Sequence, residues 1–88
     1  MSKFDKLVLK LLSGNADTNF DFTDLLLLLN KFDFTLRMKG SHHIFYKEDI
    51  DEILNLQRQK NKAKPYQVKQ VREVFIKYKL VDYNENQV

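Results

Sequence analysis

The chain has 88 residues, 43% of them hydrophobic and 31% charged, and its formal net charge is +3. This length and composition predict one globular domain with a modest core. The absence of cysteine excludes disulfides, a thiolate nucleophile and a cysteine zinc site. The first apolar stretch contains Lys10 and ends at Ser13-Gly14, which is too short and too charged for a signal peptide or a membrane span. We therefore expect a cytoplasmic protein that has no membrane contact.

Two amphipathic helices are predicted in the first third of the chain. Apolar residues at helical spacing predict a helix over residues 3–13, followed by a loop through Asn19. Asp21 is the predicted N-cap of a second helix from Phe22 to Lys31, with Phe20 and Leu25 as a hydrophobic staple. We expect Asp33 to take the left-handed turn that follows this helix.

Three strands are predicted in the middle of the chain. From Phe34 the period of the apolar residues changes to two, which predicts a strand over residues 34–39. Gly40-Ser41 is the predicted hairpin turn, because glycine reaches the positive φ of tight turns. Residues 42–47 form the second strand and residues 52–57 the third.

The alternation of residues along these strands predicts which side chains are buried. We expect the buried face to carry Phe34, Leu36, Met38, Ile44, Tyr46, Leu54 and Leu56. The same alternation places His43, Phe45 and Lys47 on the open face, and His42 on the side opposite His43. In the third strand we expect Asn55 and Gln57 to face solvent.

Positive charge is concentrated late in the chain. Residues 57–80 carry eight Lys/Arg and one acidic residue, Glu73, whereas residues 1–56 carry seven Lys/Arg and nine Asp/Glu. The first part of this region, residues 58–64, is predicted to be polar, basic and mobile. Pro65 opens a last helix that ends near Leu80. Such a basic region suits a polyanion or an acidic partner protein, and a solvated helix face is the alternative.

The order of the predicted elements is α-α-β-β-β-α. This order predicts an α+β fold in which a three-stranded antiparallel sheet carries helices on one face and leaves its other face in water.

The hairpin region also resembles a known family. Gly40-Ser41-His42-His43-Ile44-Phe45 opens the second strand, and Lys64-Pro65-Tyr66-Gln67-Val68 leads into the last helix. From about Phe22 to Leu80, the chain resembles the HicA toxins, the RNA-cleaving halves of HicA–HicB toxin–antitoxin pairs. The resemblance implies a fold similar to a double-stranded-RNA-binding domain. Residues 1–19 are then an N-terminal extension, residues 20–80 the core and residues 81–88 a frayed tail.

The resemblance implies a ribonuclease that cleaves messenger RNA without a metal or cofactor and is neutralised by a HicB-type antitoxin. The family's catalytic histidine closes a glycine–serine–any–histidine motif and corresponds here to His43. Gly40 matches the turn glycine and Ser41 the motif serine, and His42 falls at the variable position.

Metal-free RNA cleavage needs a base for the 2′-hydroxyl, an acid for the leaving 5′-oxygen, and cations near the phosphate. Histidine titrates near neutral pH, so we predict His43 as the general acid or base. The second proton-transfer group is His42, a lysine or water. Phe45 is expected to stack a base. The predicted phosphate contacts are Arg37, Lys39, Lys47, Arg58, Lys60, Lys62 and Lys64.

Two other functions fit the same residues. One is a non-catalytic RNA-binding module with salt-dependent affinity. The other is a protein-interaction domain in which an exposed Phe45 dominates binding. No metal site is predicted, because adjacent histidines on a strand point in opposite directions. The acidic residues from Glu48 to Glu52 are expected to form a solvated turn.

Overall fold

The computed structural model describes residues 2–81. Helix α1 spans Lys3–Ser13 and helix α2 spans Phe22–Lys31, with a turn of 3-10 helix at Asp17–Asn19 between them. The remaining elements are strands β1 (Thr35–Lys39), β2 (His42–Lys47), β3 (Ile50–Leu56), β4 (Arg58–Gln59) and β5 (Lys62–Ala63), and helix α3 (Pro65–Lys77). The predicted α+β fold and its element order are confirmed. Apart from Val81, the predicted frayed tail lies outside the described residues.

Local sequence signals set the helix ends. Ser2 caps α1 through a hydrogen bond from the Asp5 amide to the Ser2 hydroxyl, and Gly14 ends this helix in the left-handed conformation. Asp21 is the N-cap residue of α2, as predicted, but its side chain makes no capping hydrogen bond. Asp33 has a φ of 67°, which confirms the predicted left-handed turn after α2.

The register of the β1–β2 hairpin corrects the predicted faces of β2. Lys39 pairs with His42, so Gly40-Ser41 is the two-residue turn that was predicted, and Gly40 has a positive φ of 59°. The same register pairs Leu36 with Phe45 and Met38 with His43. Residues directly opposite each other in an antiparallel pair share a face. Phe45 and His43 therefore face the helices, and their predicted position on the open face is wrong.

The open face of the sheet consequently carries residues that were expected inside. Ile44 pairs with Arg37 on one side and with Asn55 on the other, so all three share this face. Tyr46, opposite Thr35, is 43% exposed rather than buried. In β3, Leu54 and Leu56 face the core and Asn55 faces solvent, as predicted.

Strand β1 is an edge strand with incomplete cover. The strand order is β1-β2-β3, and all five residues of β1 are exposed. Leu36 and Met38 point to the helix side, yet about half of each side chain remains accessible. Their predicted burial is wrong because the helices do not extend over the edge of the sheet.

One hydrophobic core lies between the helices and the covered face of the sheet. Helix α1 contributes Leu7 and Leu11 to it, and α3 contributes Val68, Val71, Val74 and Phe75. Phe20 and Leu25, the predicted staple, are both fully buried. Arg72 of α3 fixes α1 from outside the core, because its guanidinium donates to the Leu11 carbonyl and to both carboxylate oxygens of Asp17. Within residues 2–81, no helix has the length and apolar character that a membrane crossing requires.

The basic segment after β3 is folded, which corrects the predicted mobile stretch. Strands β4 and β5 pair as a small hairpin with Lys60 in the left-handed conformation at its tip. This hairpin docks beside the start of α2, since the Phe22 amide donates to the Asn61 carbonyl and the Ala63 amide donates to the Phe20 carbonyl. The backbone of this basic segment is therefore anchored beside α2.

Candidate functional site

His43 lies half-buried on the covered side of the sheet. Its ring packs edge-to-face on Phe22, with ring centroids 5.0 Å apart and an interplanar angle of 78°. Among the buried side-chain polar atoms of residues 2–81, His43 Nδ1 is the one that lacks a hydrogen-bond partner. Nε2 is not among these buried unpartnered atoms. Of the two ring nitrogens of His43, Nε2 is therefore the candidate for contact with a substrate.

Arg58 packs on the same aromatic ring as His43. Its Cζ atom lies 5.2 Å from the centroid of Phe22, in a cation–π arrangement. Phe22 is fully buried in the first turn of α2, and the docked hairpin brings Arg58 to it. The structure therefore brings together an imidazole and a guanidinium that were predicted separately. We call His43, Phe22 and Arg58 the Phe22 site.

A network of amide side chains joins the hairpin turn to the start of α3. Gln57 donates through Nε2 to the Ser41 hydroxyl at 3.1 Å and accepts at Oε1 from Lys64 Nζ at 3.3 Å. Gln67 accepts from the Gln57 backbone amide and donates to the Asn55 carbonyl. This network places Ser41 and Lys64 at the end of the sheet where β2 begins.

Sequence reasoning missed the two glutamines as site residues. Gln67 is only 3% exposed, and burial of an amide is costly unless it is hydrogen-bonded. The one available signal was that Gln67 interrupts the apolar face of α3 next to Val68. Gln57 was predicted to face solvent, whereas its side chain connects Ser41 with Lys64.

His42 lies on the open face, where a neighbouring strand orients it. Its Nδ1 atom is 2.9 Å from Asn55 Oδ1. A carbonyl oxygen only accepts, so this contact favours the tautomer with the hydrogen on Nδ1, in which Nε2 of the neutral ring can accept a hydrogen bond. The prediction that the two histidines lie on opposite sides of the sheet is confirmed, with the two faces exchanged.

Apart from Arg58 and Lys64, described above, the predicted phosphate-binding cations divide into three groups. Arg37 and Lys39 are exposed on the open face, and Lys39 lies directly opposite His42. Lys62 forms a salt bridge with Asp21, which lowers the pKa of that carboxyl below its usual value through the hydrogen bond and the charge of the ammonium. The third group consists of Lys60, at the tip of the small hairpin, and Lys47, at the opposite end of β2 from the two histidines.

Two further expectations are corrected. Phe45 is 2% exposed in the core, so it is not accessible to a stacked base or to a partner protein. Glu52 lies in β3, as the predicted bounds of the third strand require, and not in a solvated turn; it accepts from Lys77 Nζ at 2.8 Å and from the Tyr78 hydroxyl. These hydrogen bonds lower the pKa of Glu52 and raise that of Tyr78. In the described part of the chain, no three His, Asp or Glu side chains are grouped to hold a metal ion.

Comparisons with protein-family models, with curated proteins and with solved structures found no match to this chain.

Proposed function

We propose that this chain is a cytoplasmic, metal-independent endoribonuclease of the HicA toxin type, on a fold like that of a double-stranded-RNA-binding domain. In this proposal it cleaves messenger RNA and is neutralised by a HicB-type antitoxin. The observation that carries the proposal is the Phe22 site, where the His43 imidazole and the Arg58 guanidinium pack on one ring. An imidazole and a guanidinium that pack on one ring can supply proton transfer and stabilisation of phosphate charge, respectively.

The proposed reaction begins when the ribose 2′-oxygen attacks the adjacent phosphorus atom. The bond from phosphorus to the 5′-oxygen breaks, which leaves a 2′,3′-cyclic phosphate and a free 5′-hydroxyl. One group takes the proton of the 2′-hydroxyl, and one group gives a proton to the leaving oxygen. His43 fills one of these roles through Nε2, because its Nδ1 is enclosed. Arg58 stabilises the charge that develops on the phosphate oxygens.

The half-buried position of His43 favours a second candidate function. In that case the ring is a packing element against Phe22, and the chain binds RNA without cleaving it. The two candidates share the cations and differ only in whether His43 transfers protons.

Cleavage of a defined transcript in the presence of a metal chelator separates the two candidates. We expect His43→Leu, which keeps an apolar side chain against Phe22, to lower the cleavage rate by about 100-fold or more. Arg58→Ala should also slow cleavage, whereas Lys47→Ala, at the far end of the same strand, should have little effect. Thermal unfolding of each variant controls for the fold.

Two results would decide against the catalytic proposal. If His43→Leu cleaves as fast as the wild type, His43 is not the acid–base group. If the wild-type protein binds the transcript with a steep salt dependence but leaves it intact, the chain is a binding module.

A further inference from the structure

We infer that the open face of the sheet binds single-stranded RNA and that His42 accepts a hydrogen bond there from a ribose 2′-hydroxyl. The inference rests on the proposed function, because it names contacts of the same substrate outside the Phe22 site. The open-face site is defined by His42, Asn55, Arg37, Lys39 and Tyr46.

The His42–Asn55 pair is a built acceptor rather than a freely rotating ring. Asn55 accepts from His42 Nδ1 at 2.9 Å, and the register of β2 and β3 brings the two residues to the same face. Donation from Nδ1 to Asn55 favours the tautomer whose Nε2 lone pair points away from Asn55. A ribose 2′-hydroxyl is a donor that DNA lacks, so an oriented acceptor of this kind discriminates RNA from DNA.

Unpaired cations flank this acceptor. Lys39 is the cross-strand partner of His42, and Arg37 lies one row along on the same face. Both side chains are exposed, and neither forms a salt bridge with any residue from 2 to 81. Lys62, by contrast, is already neutralised by Asp21. The open face therefore presents free positive charge beside His42.

An aromatic ring completes the surface. Tyr46 stands on the same face four residues along β2, and Ile53 of β3 is 61% exposed there. Four residues of strand separate Tyr46 from His42 by about 13 Å. Unstacked bases pack on exposed aromatic rings of sheets, and duplex bases are not available for this contact. A single strand is therefore the form of RNA that fits this face.

Paired ribo- and deoxyribo-oligonucleotides of one sequence test the inference directly. Fluorescence anisotropy gives the ratio of the two dissociation constants, measured in the His43→Leu background so that the RNA stays intact. We expect a preference for RNA that His42→Ala lowers about 2- to 10-fold, while affinity for the deoxy strand is unchanged. Asn55→Leu should lower the preference as well, and Asn55→Asp should preserve it, because a carboxylate oxygen also accepts from Nδ1.

The cations provide the matched control. Arg37→Ala and Lys39→Ala should weaken binding of both oligonucleotides equally and each reduce the salt slope by about one. The ratio of dissociation constants should not change in these variants. Circular dichroism of each variant excludes loss of the fold as the cause.

The outcomes for the inference and for the proposed function are distinct. An RNA preference that His42→Ala leaves unchanged, no preference in the parent chain, or no binding at all overturns the inference. His43-dependent cleavage together with an unchanged preference overturns the inference alone. A His42-dependent preference in a chain whose wild type never cleaves RNA supports the inference and rejects the nuclease proposal.

Discussion

The two faces of the sheet use neighbouring residues of one strand in different ways. On the covered face, His43 packs against Phe22, and its Nδ1 atom is buried without a hydrogen-bond partner in residues 2–81. On the open face, His42 is exposed and oriented by a single hydrogen bond to Asn55. Alternation along β2 therefore places one imidazole in a rigid, partly dry environment and the other on a wet, cationic surface. Rigid placement suits chemistry, and the exposed surface suits recognition.

The largest expected effect is a difference in the free energy of unfolding between substitutions on the two faces of the sheet. Phe45 and Tyr46 are adjacent aromatic residues on opposite faces, the first buried and the second exposed. Phe45→Ala should lower the free energy of unfolding by about 3–5 kcal/mol, because it leaves a cavity in the core. Tyr46→Ala should change it by less than about 1 kcal/mol. Urea unfolding measures both, and equal losses would contradict the register of the β1–β2 hairpin.

A smaller expected effect is a difference in salt dependence between a cation of the open face and a cation of the small hairpin. Lys39 on the open face has no salt-bridge partner within residues 2–81, whereas Lys62 is paired with Asp21 beside α2. Lys39→Ala should reduce the slope of RNA affinity against salt by about one, and Lys62→Ala should leave it nearly unchanged. Titrations of RNA at several salt concentrations provide the test. A larger change for Lys62→Ala would mean that the small hairpin contacts the backbone of the RNA.

The smallest effect concerns the docking of the small hairpin at low pH. Lys62 lowers the pKa of the Asp21 carboxyl below 3.8 in the folded chain. The ion pair therefore adds stability above the unfolded pKa, and this contribution is lost as the pH falls through the folded pKa. Asp21→Asn should be slightly less stable than the wild type at neutral pH, and the difference should shrink as the pH falls and Asp21 becomes protonated. Thermal unfolding as a function of pH gives the difference, and a gap that does not shrink in acid would assign it to another cause.

The helices were predictable because their signals are local. Asp21, Pro65 and the apolar spacing mark where the helices begin, and the structure confirms α1 and α2 with the predicted bounds. Helix α3 begins at Pro65 as predicted but ends at Lys77, a few residues early. The hairpin turn at Gly40-Ser41 was predictable for the same reason, because glycine readily adopts the positive φ that this turn requires.

The faces of β2 were mispredicted because its own pattern is ambiguous. Both alternating sets contain apolar residues, Ile44 in one and Phe45 in the other, so the period does not reveal the buried set. The length of the turn, however, determines the register and therefore the buried set. A two-residue turn at Gly40-Ser41 pairs Lys39 with His42 and therefore Leu36 with Phe45.

The remaining parts of the site depend on contacts between distant segments. Asp21 and Lys62 are 41 residues apart, and nothing in the composition of residues 58–64 indicates that their backbone pairs with Phe20 and Phe22. The packing of Arg58 on Phe22 follows from that docking. The Ser41–Gln57–Lys64 connection likewise joins three elements whose proximity only the fold establishes.

The most direct test of the assignment of roles compares the two histidine variants in one cleavage assay. His43→Leu and His42→Ala are mixed with the same transcript at saturating protein concentration and with chelator present, and the rate of formation of cyclic-phosphate ends is measured. We predict that His43→Leu is slowed by about 100-fold or more, whereas His42→Ala stays within about tenfold of the wild type. Unimpaired cleavage by His43→Leu would contradict the account.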